Sequence, residues 1–238
     1  MIELLRERFD GLSARALILL ATIGVALPLV VAVIALAQRR WYPVLDLAMT
    51  EFRVQDVGTR DTPLIGLPGR IGELPDQGSH PGPLSFWLLA PAYRLFGSSA
   101  WAMEVATVSV ALVWAATALW IGYRRLGRAG IALVAAIIAV VVRGFGLSVL
   151  TQPWNPYMPL LAWLVILLAA WAVLDGDDLM LIPLVVAASF AAQTHIPYLL
   201  MAGAIGLLTV AVVLWRWWSA RRSGGDGVGP PRSVLITI

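Results

Sequence analysis

The 238-residue chain contains no cysteine and no lysine, only two histidines, and charged side chains at just 13% of its positions. Without cysteine, disulfides and thiolate metal sites are excluded outright. The histidines, His80 and His195, stand 115 residues apart, a separation that matches no zinc-binding spacing. No phosphate loop, no GxGxxG between strand and helix, no GxSxG and no HExxH occurs. The scarcity of charge excludes a soluble domain of this length.

Apolar sequence takes the place of what is missing. Hydrophobic residues make up 60% of the chain and the mean hydropathy is +0.83. Uncharged runs long enough to cross about 30 Å of hydrocarbon recur along it. A net charge of +3 raises the question of nucleic acid, yet the arginines gather at the ends of apolar runs, as membrane topology requires. No nucleic-acid partner is expected. Several of the eleven tryptophans (Trp41, Trp120, Trp154, Trp215, Trp217, Trp218) fall near predicted interfaces, where amphipathic rings anchor spans.

These patterns predict an all-α, polytopic membrane protein of about six transmembrane helices with a large first extracytoplasmic loop. Residues 1–15 read as a cytoplasmic leader, 16–222 as the transmembrane domain with its outer loop at 38–83, and 223–238 as a linker and the start of a truncated further span. Ala16 to Ala37 is uncharged and long enough to span. Ala35-Leu36-Ala37 has the form of a signal-peptidase site. The run is longer than a signal core, however, and the leader is acidic as well as basic, so an uncleaved anchor is expected. Leu84 to Phe96 is too short to span and reads as a re-entrant or interfacial helix, or as the opening of the next span.

Val105–Tyr123, Ile131–Leu150 and Met158–Leu174 supply spans two to four. The apolar stretch from Leu179 to Trp215 suits two helices meeting at QTHIPY. Six spans put Arg124, Arg125 and Arg128 on the same side as Arg216, Arg221 and Arg222. The positive-inside rule then places the N-terminus in the cytoplasm and the acidic loop outside a cell membrane. Arg39 and Arg40, at the outer end of the first span, run against that rule.

The first outer loop is where chemistry is expected. It holds Asp46, Glu51, Asp56, Asp61, Glu73 and Asp76, six of the fourteen acidic residues, together with His80. At about 45 residues it is too long for a simple connection, and loops held on a rigid frame commonly carry function. Asp46 lies just beyond the first span, where a carboxylate can take a proton from an acceptor hydroxyl. Glu51 and Arg53 follow in DLAMTEFRVQD. Were this stretch helical, Asp46 and Arg53 would share a face, while Asp46 and Glu51 would lie about 140° apart. Solvated turn acids are the plainer account of the same residues.

His80 suits either a turn ahead of Pro81 or a contact to substrate or phosphate. His195, in an apolar run, faces an internal cavity or serves as a hydrogen-bonded helix end. Arg143, inside the third span, either snorkels outward or offers its forked donors to a lipid-linked phosphate. Gln152, Trp154 and Asn155, in the TQPWNPY turn, serve as sugar contacts or as interfacial anchors and a cap.

An acidic loop after span one, then HPGPLSFWLLAPAYRLFG, then a span ending in YRRLG together resemble the N-terminal portion of the GT-C superfamily of membrane glycosyltransferases. The likeness is to the dolichyl-phosphate-mannose protein mannosyltransferase-like and lipid A aminoarabinose transferase-like families. TQPWNPYMPLLAWL and AASFAAQTHIPYL add to it, and it covers residues from about 16 to 215. It implies an inverting glycosyltransferase that moves a sugar from a polyprenyl-phosphate carrier to a cell-envelope acceptor on the outer face. The position matching the family's catalytic carboxylate is Asp46. Gly82 stands where relatives have a proline, and Leu47 follows Asp46 where many relatives have a second acid. No cofactor is assigned, and a divalent cation at the acidic motif stays open. The competing reading is a non-catalytic membrane protein, such as a transporter or flippase of lipid-linked sugars. Transport sites favour the midplane of interrupted repeats, whereas the charge here concentrates in one surface loop.

Overall fold

The computed structural model describes residues 12–69, 72–73 and 76–222. Most of the predicted leader and all of the linker at 223–238 lie outside the described residues. Among the described residues, regular structure is helical apart from one isolated antiparallel bridge between Pro68 and Ser79.

The helices are α1 (Ala14–Leu36), α2 (Asp46–Asp56), α3 (Leu84–Leu95), α4 (Ala100–Phe145), α5 (Leu147–Thr151), α6 (Leu160–Leu174), α7 (Leu181–Thr194) and α8 (Pro197–Arg222). A 3-10 turn, Asp178–Met180, leads into α7. Three of them, α1, α4 and α8, are long and apolar enough to cross a bilayer, with mean hydropathies of 2.9, 2.1 and 2.2 over their most apolar stretches. Only 17% of that stretch is buried in α1 and in α8. Leu19, Ile23, Leu27 and Ile34 of α1, and Leu200, Leu207 and Leu208 of α8, point outward. Helices apolar on every side are stable when hydrocarbon surrounds them. The chain is therefore compatible with a membrane protein.

The apolar runs predicted as spans two and three belong to α4, which is broken at Gly127 (φ 61°, ψ −140°). A Cβ on Gly122 would sit 2.7 Å from the Val134 side chain. Along a straight helix those residues would be about 18 Å apart. The two arms of α4 thus fold back on each other as a hairpin. Gly122 and Gly130 let the backbones touch, since a Cβ on Gly130 would overlap the Gly122 carbonyl.

Leu84 to Leu95 is a helix of its own rather than the opening of α4. Gly97 (φ 93°) and Ser98 (φ 50°) turn the chain between them, and Phe86, Leu89, Ala90 and Tyr93 of α3 are buried. The apolar helices α6 and α7 have 15 and 14 residues, about 22 Å at 1.5 Å per residue. Both are central: Leu161, Val165 and Ile166 of α6 and Leu184, Ala187 and Phe190 of α7 are buried.

Ion pairs mark one end of the molecule. Arg124 grips Asp177 in two hydrogen bonds of 2.7 and 3.1 Å. Arg125 pairs with Asp175, and Arg216 pairs with Asp178 at 3.0 Å. Arg128 donates to the Leu12 carbonyl at 3.2 Å, bringing the start of α1 to this end. The acidic loop, α2, α3 and the turns after α5 and α7 belong to the other end.

Candidate active-site cleft

His80 is fixed first by its backbone. Its N–H donates to Leu67 O at 2.8 Å, its carbonyl accepts from Gly66 N at 3.0 Å, and Gly69 N donates to Gly78 O at 2.6 Å. Gly66 is required for this pairing, because a Cβ there would lie 2.7 Å from His80 Cβ and 2.8 Å from its carbonyl oxygen. Gly82, at the position where the resemblance expects proline, packs against the Gln193 side chain of α7.

The His80 ring is 6% exposed and joins three distant segments. Nδ1 accepts from the backbone N–H of Ile196 at 3.0 Å, and Nε2 lies 2.9 Å from the side-chain amide of Asn155, itself 8% exposed. A neutral imidazole carries one proton. With Nδ1 accepting from a backbone donor, that proton belongs on Nε2; the atom placed opposite is Asn155 Nδ2, itself a donor, so the amide must turn end for end to present its oxygen. Burial lowers the His80 pKa, against an upward pull from Asp46. The ring is therefore a neutral clamp between the first loop, the turn after α5 and the turn after α7.

His195 lies beside it, ring centroids 5.1 Å apart. Burial, and then the neighbouring His80, hold the His195 pKa down. Its Nδ1 is buried without a hydrogen-bond partner among the described residues. Tyr198 closes this corner, its hydroxyl donating to Pro156 O at 3.1 Å and its ring packed on Trp163.

Asp46 is the first residue of α2, where the helix dipole favours a carboxylate. Leu45 before it is held at φ 50°, ψ −127°, a conformation that costs a non-glycine residue about 1–3 kcal/mol. Asp46, His80, Trp154, Asn155 and His195 together line a cleft of about 340 Å3. Five residues singled out in the sequence thus converge from three separate segments.

The others do not join them. Glu51 faces a second cavity, of about 440 Å3, and its Oε1 accepts from the Tyr93 hydroxyl at 2.9 Å. The reason is helical: five residues of α2 turn Glu51 about 140° from Asp46. Arg53 and Gln152 are half-buried and line neither cavity. Arg143 is exposed on a groove of about 400 Å3 beside Gly24, Pro28 and Gly146, with no hydrogen bond or ion pair among the described residues. Sequence reasoning passed over Glu104, which is buried at the start of α4; its one signal was a lone carboxylate opening a clean apolar run. It also missed the Ile196 N–H, a backbone donor invisible in residue types.

Among the described residues no group of three or more His, Asp or Glu side chains converges to hold a metal ion. The chain matches no family model, no curated protein and no solved structure. Function is therefore read from the cleft.

Proposed function

We propose that the protein is a membrane glycosyltransferase that moves a sugar from a polyprenyl-phosphate carrier to an acceptor hydroxyl at the outer membrane surface. The observation that carries this reading is the convergence of a carboxylate, Asp46, with an open aromatic face, Trp154, and an oriented amide, Asn155, in one cleft. Carboxylate, stacking ring and amide are what a sugar in reaction needs: a base, a platform and a hydrogen-bonding partner.

In this mechanism Asp46 takes the proton of the acceptor hydroxyl. The acceptor oxygen forms its bond to the anomeric carbon as the bond from that carbon to the phosphate oxygen breaks. The electron pair leaves with the carrier phosphate, and the anomeric centre inverts. His80 acts as a positioning residue: by holding Asn155 and the Ile196 N–H it keeps the cleft walls in place. Arg143 lines a groove separate from the Asp46 cleft and is given no part in this step.

The topology in this reading has six crossings, with the cleft outside and the Arg124–Asp177 end in the cytoplasm. Its support is the alternation of the chain between the two ends, together with positive-inside counting. The short α6 and α7 then cross with one face packed in the bundle, while Leu167, Trp171 and Val186 face outward.

The test is Asp46→Asn, which keeps size and removes the basic oxygen. Transfer from a polyprenyl-phosphate sugar, measured in membranes with matched protein levels, should fall about 10²-fold or more with donor binding retained. Asp56→Asn and Asp61→Asn, elsewhere on the loop, should leave the rate near wild type. Full activity in Asp46→Asn with loss in Glu51→Gln would move the base to the second cavity. Activity in both variants would remove the catalytic role from this end of the protein.

A further inference from the structure

On the far side of α2 from the Asp46 cleft, the cavity of about 440 Å3 opens where α1 ends at Leu36 and α4 begins at Ala100. Arg39, Arg40, Trp41, Glu51, Trp101 and Glu104 line it. Glu104 is only 4% exposed and makes no hydrogen bond or ion pair among the described residues. Glu51 has one oxygen held by Tyr93 and the other without a partner among the described residues. Arg39 and Arg40 border the same space and pair with neither carboxylate among the described residues; the Arg124–Asp177, Arg125–Asp175 and Arg216–Asp178 pairs lie at the opposite end of the molecule.

A buried carboxylate without a partner is costly and is stabilised by an arriving cation. Here two carboxylates and two guanidinium groups face one cavity without neutralising each other. An anionic ligand would leave the buried Glu104 unpaired, and a simple cation would leave the exposed Arg39 and Arg40 to water. A ligand carrying both signs satisfies both. Its cation is best a primary ammonium, whose three N–H donors match carboxylate oxygens and whose charge suits the faces of Trp41 and Trp101. Its anion is best a phosphate, which the arginine fork binds well. The ends of two membrane-length helices put the cavity at the depth of lipid head groups.

We propose that this cavity binds an aminoethyl phosphate group, its ammonium against Glu104 and Glu51 and its phosphate against Arg39 and Arg40. The group can arrive on phosphatidylethanolamine or as soluble O-phosphorylethanolamine. The binding is independent of sugar transfer and of Asp46.

The test uses the full chain in detergent, equilibrated with vesicles of equal phosphatidylethanolamine, phosphatidylcholine and phosphatidylglycerol, with retained lipid counted by native mass spectrometry. In parallel, O-phosphorylethanolamine is titrated while the thermal midpoint is followed. Wild type should retain phosphatidylethanolamine about tenfold over the other two, and Glu104→Gln and Glu51→Gln should each lose about that factor. Asp46→Asn should retain it as wild type does. A raised midpoint with O-phosphorylethanolamine and no lipid preference would support the soluble source of the same group. Equal retention of the three lipids without a midpoint shift overturns the proposal. So does retention of phosphatidylcholine and phosphatidylethanolamine alike, both well above phosphatidylglycerol, because a quaternary ammonium offers the carboxylates no donor. If Glu104→Gln does not fold, Glu51→Gln decides, and wild-type retention in that variant overturns the assignment.

Discussion

Replacing His80 by alanine isolates what holds the cleft together. The ring contributes one acceptor to the Ile196 N–H and one donor to the Asn155 amide, and it is 6% exposed. Alanine leaves both partners unsatisfied in a buried place, at about 1–3 kcal/mol each, so the loss is about 2–6 kcal/mol before any cavity cost. The pH dependence gives a second handle. Burial sets the folded His80 pKa below the 6.5 of the unfolded chain. Between those two values the unfolded state binds a proton that the folded state refuses. Stability is therefore complete above about pH 6.5 and is lost as pH falls through that value, by at most about 1.4 kcal/mol per pH unit for one proton. The loss levels off below the folded pKa. The assay is reversible unfolding in detergent followed by circular dichroism, from pH 7.5 to 5.5, for wild type and for His80→Ala. The difference between the two slopes removes every other titrating group. Equal slopes, or a variant as stable as wild type at pH 7.5, would refute the clamp.

Two further expectations concern the frame. Gly130→Ala should force the arms of α4 apart, because its Cβ would overlap the Gly122 carbonyl, lowering stability by about 1–3 kcal/mol; an unchanged thermal midpoint would contradict the hairpin. For orientation, single cysteines at Thr59 and Leu126, both exposed, should react with an impermeant thiol reagent from outside and from inside, respectively. The opposite pattern would put the cleft in the cytoplasm.

The membrane-length helices were legible in the sequence because length and hydropathy are local properties. The uncharged run at 16–37 became α1, and the break at QTHIPY became the turn between α7 and α8. The arginine cluster after Tyr123 marked the turn within α4, although only the structure located the break at Gly127 and folded the two arms together. DLAMTEFRVQD forms the helix α2, so Asp46 and Glu51 point to different sides as helical spacing requires.

What no local pattern carried was which polar groups meet. His80, Asn155 and Ile196 are separated by 75 and 116 residues along the chain, and helix packing alone brings them within hydrogen-bond distance. Helical spacing set Glu51 about 140° from Asp46 on α2, and only the tertiary fold put one in each of two cavities. In the sequence Glu104 only precedes an apolar run, and the packing of α4 beside the end of α1 buries it with no hydrogen bond or ion pair among the described residues. Apolar periodicity and length fix where helices run, since hydrocarbon acts on each segment separately; the chemistry of a site depends on distances between segments, which exist only once the helices have packed.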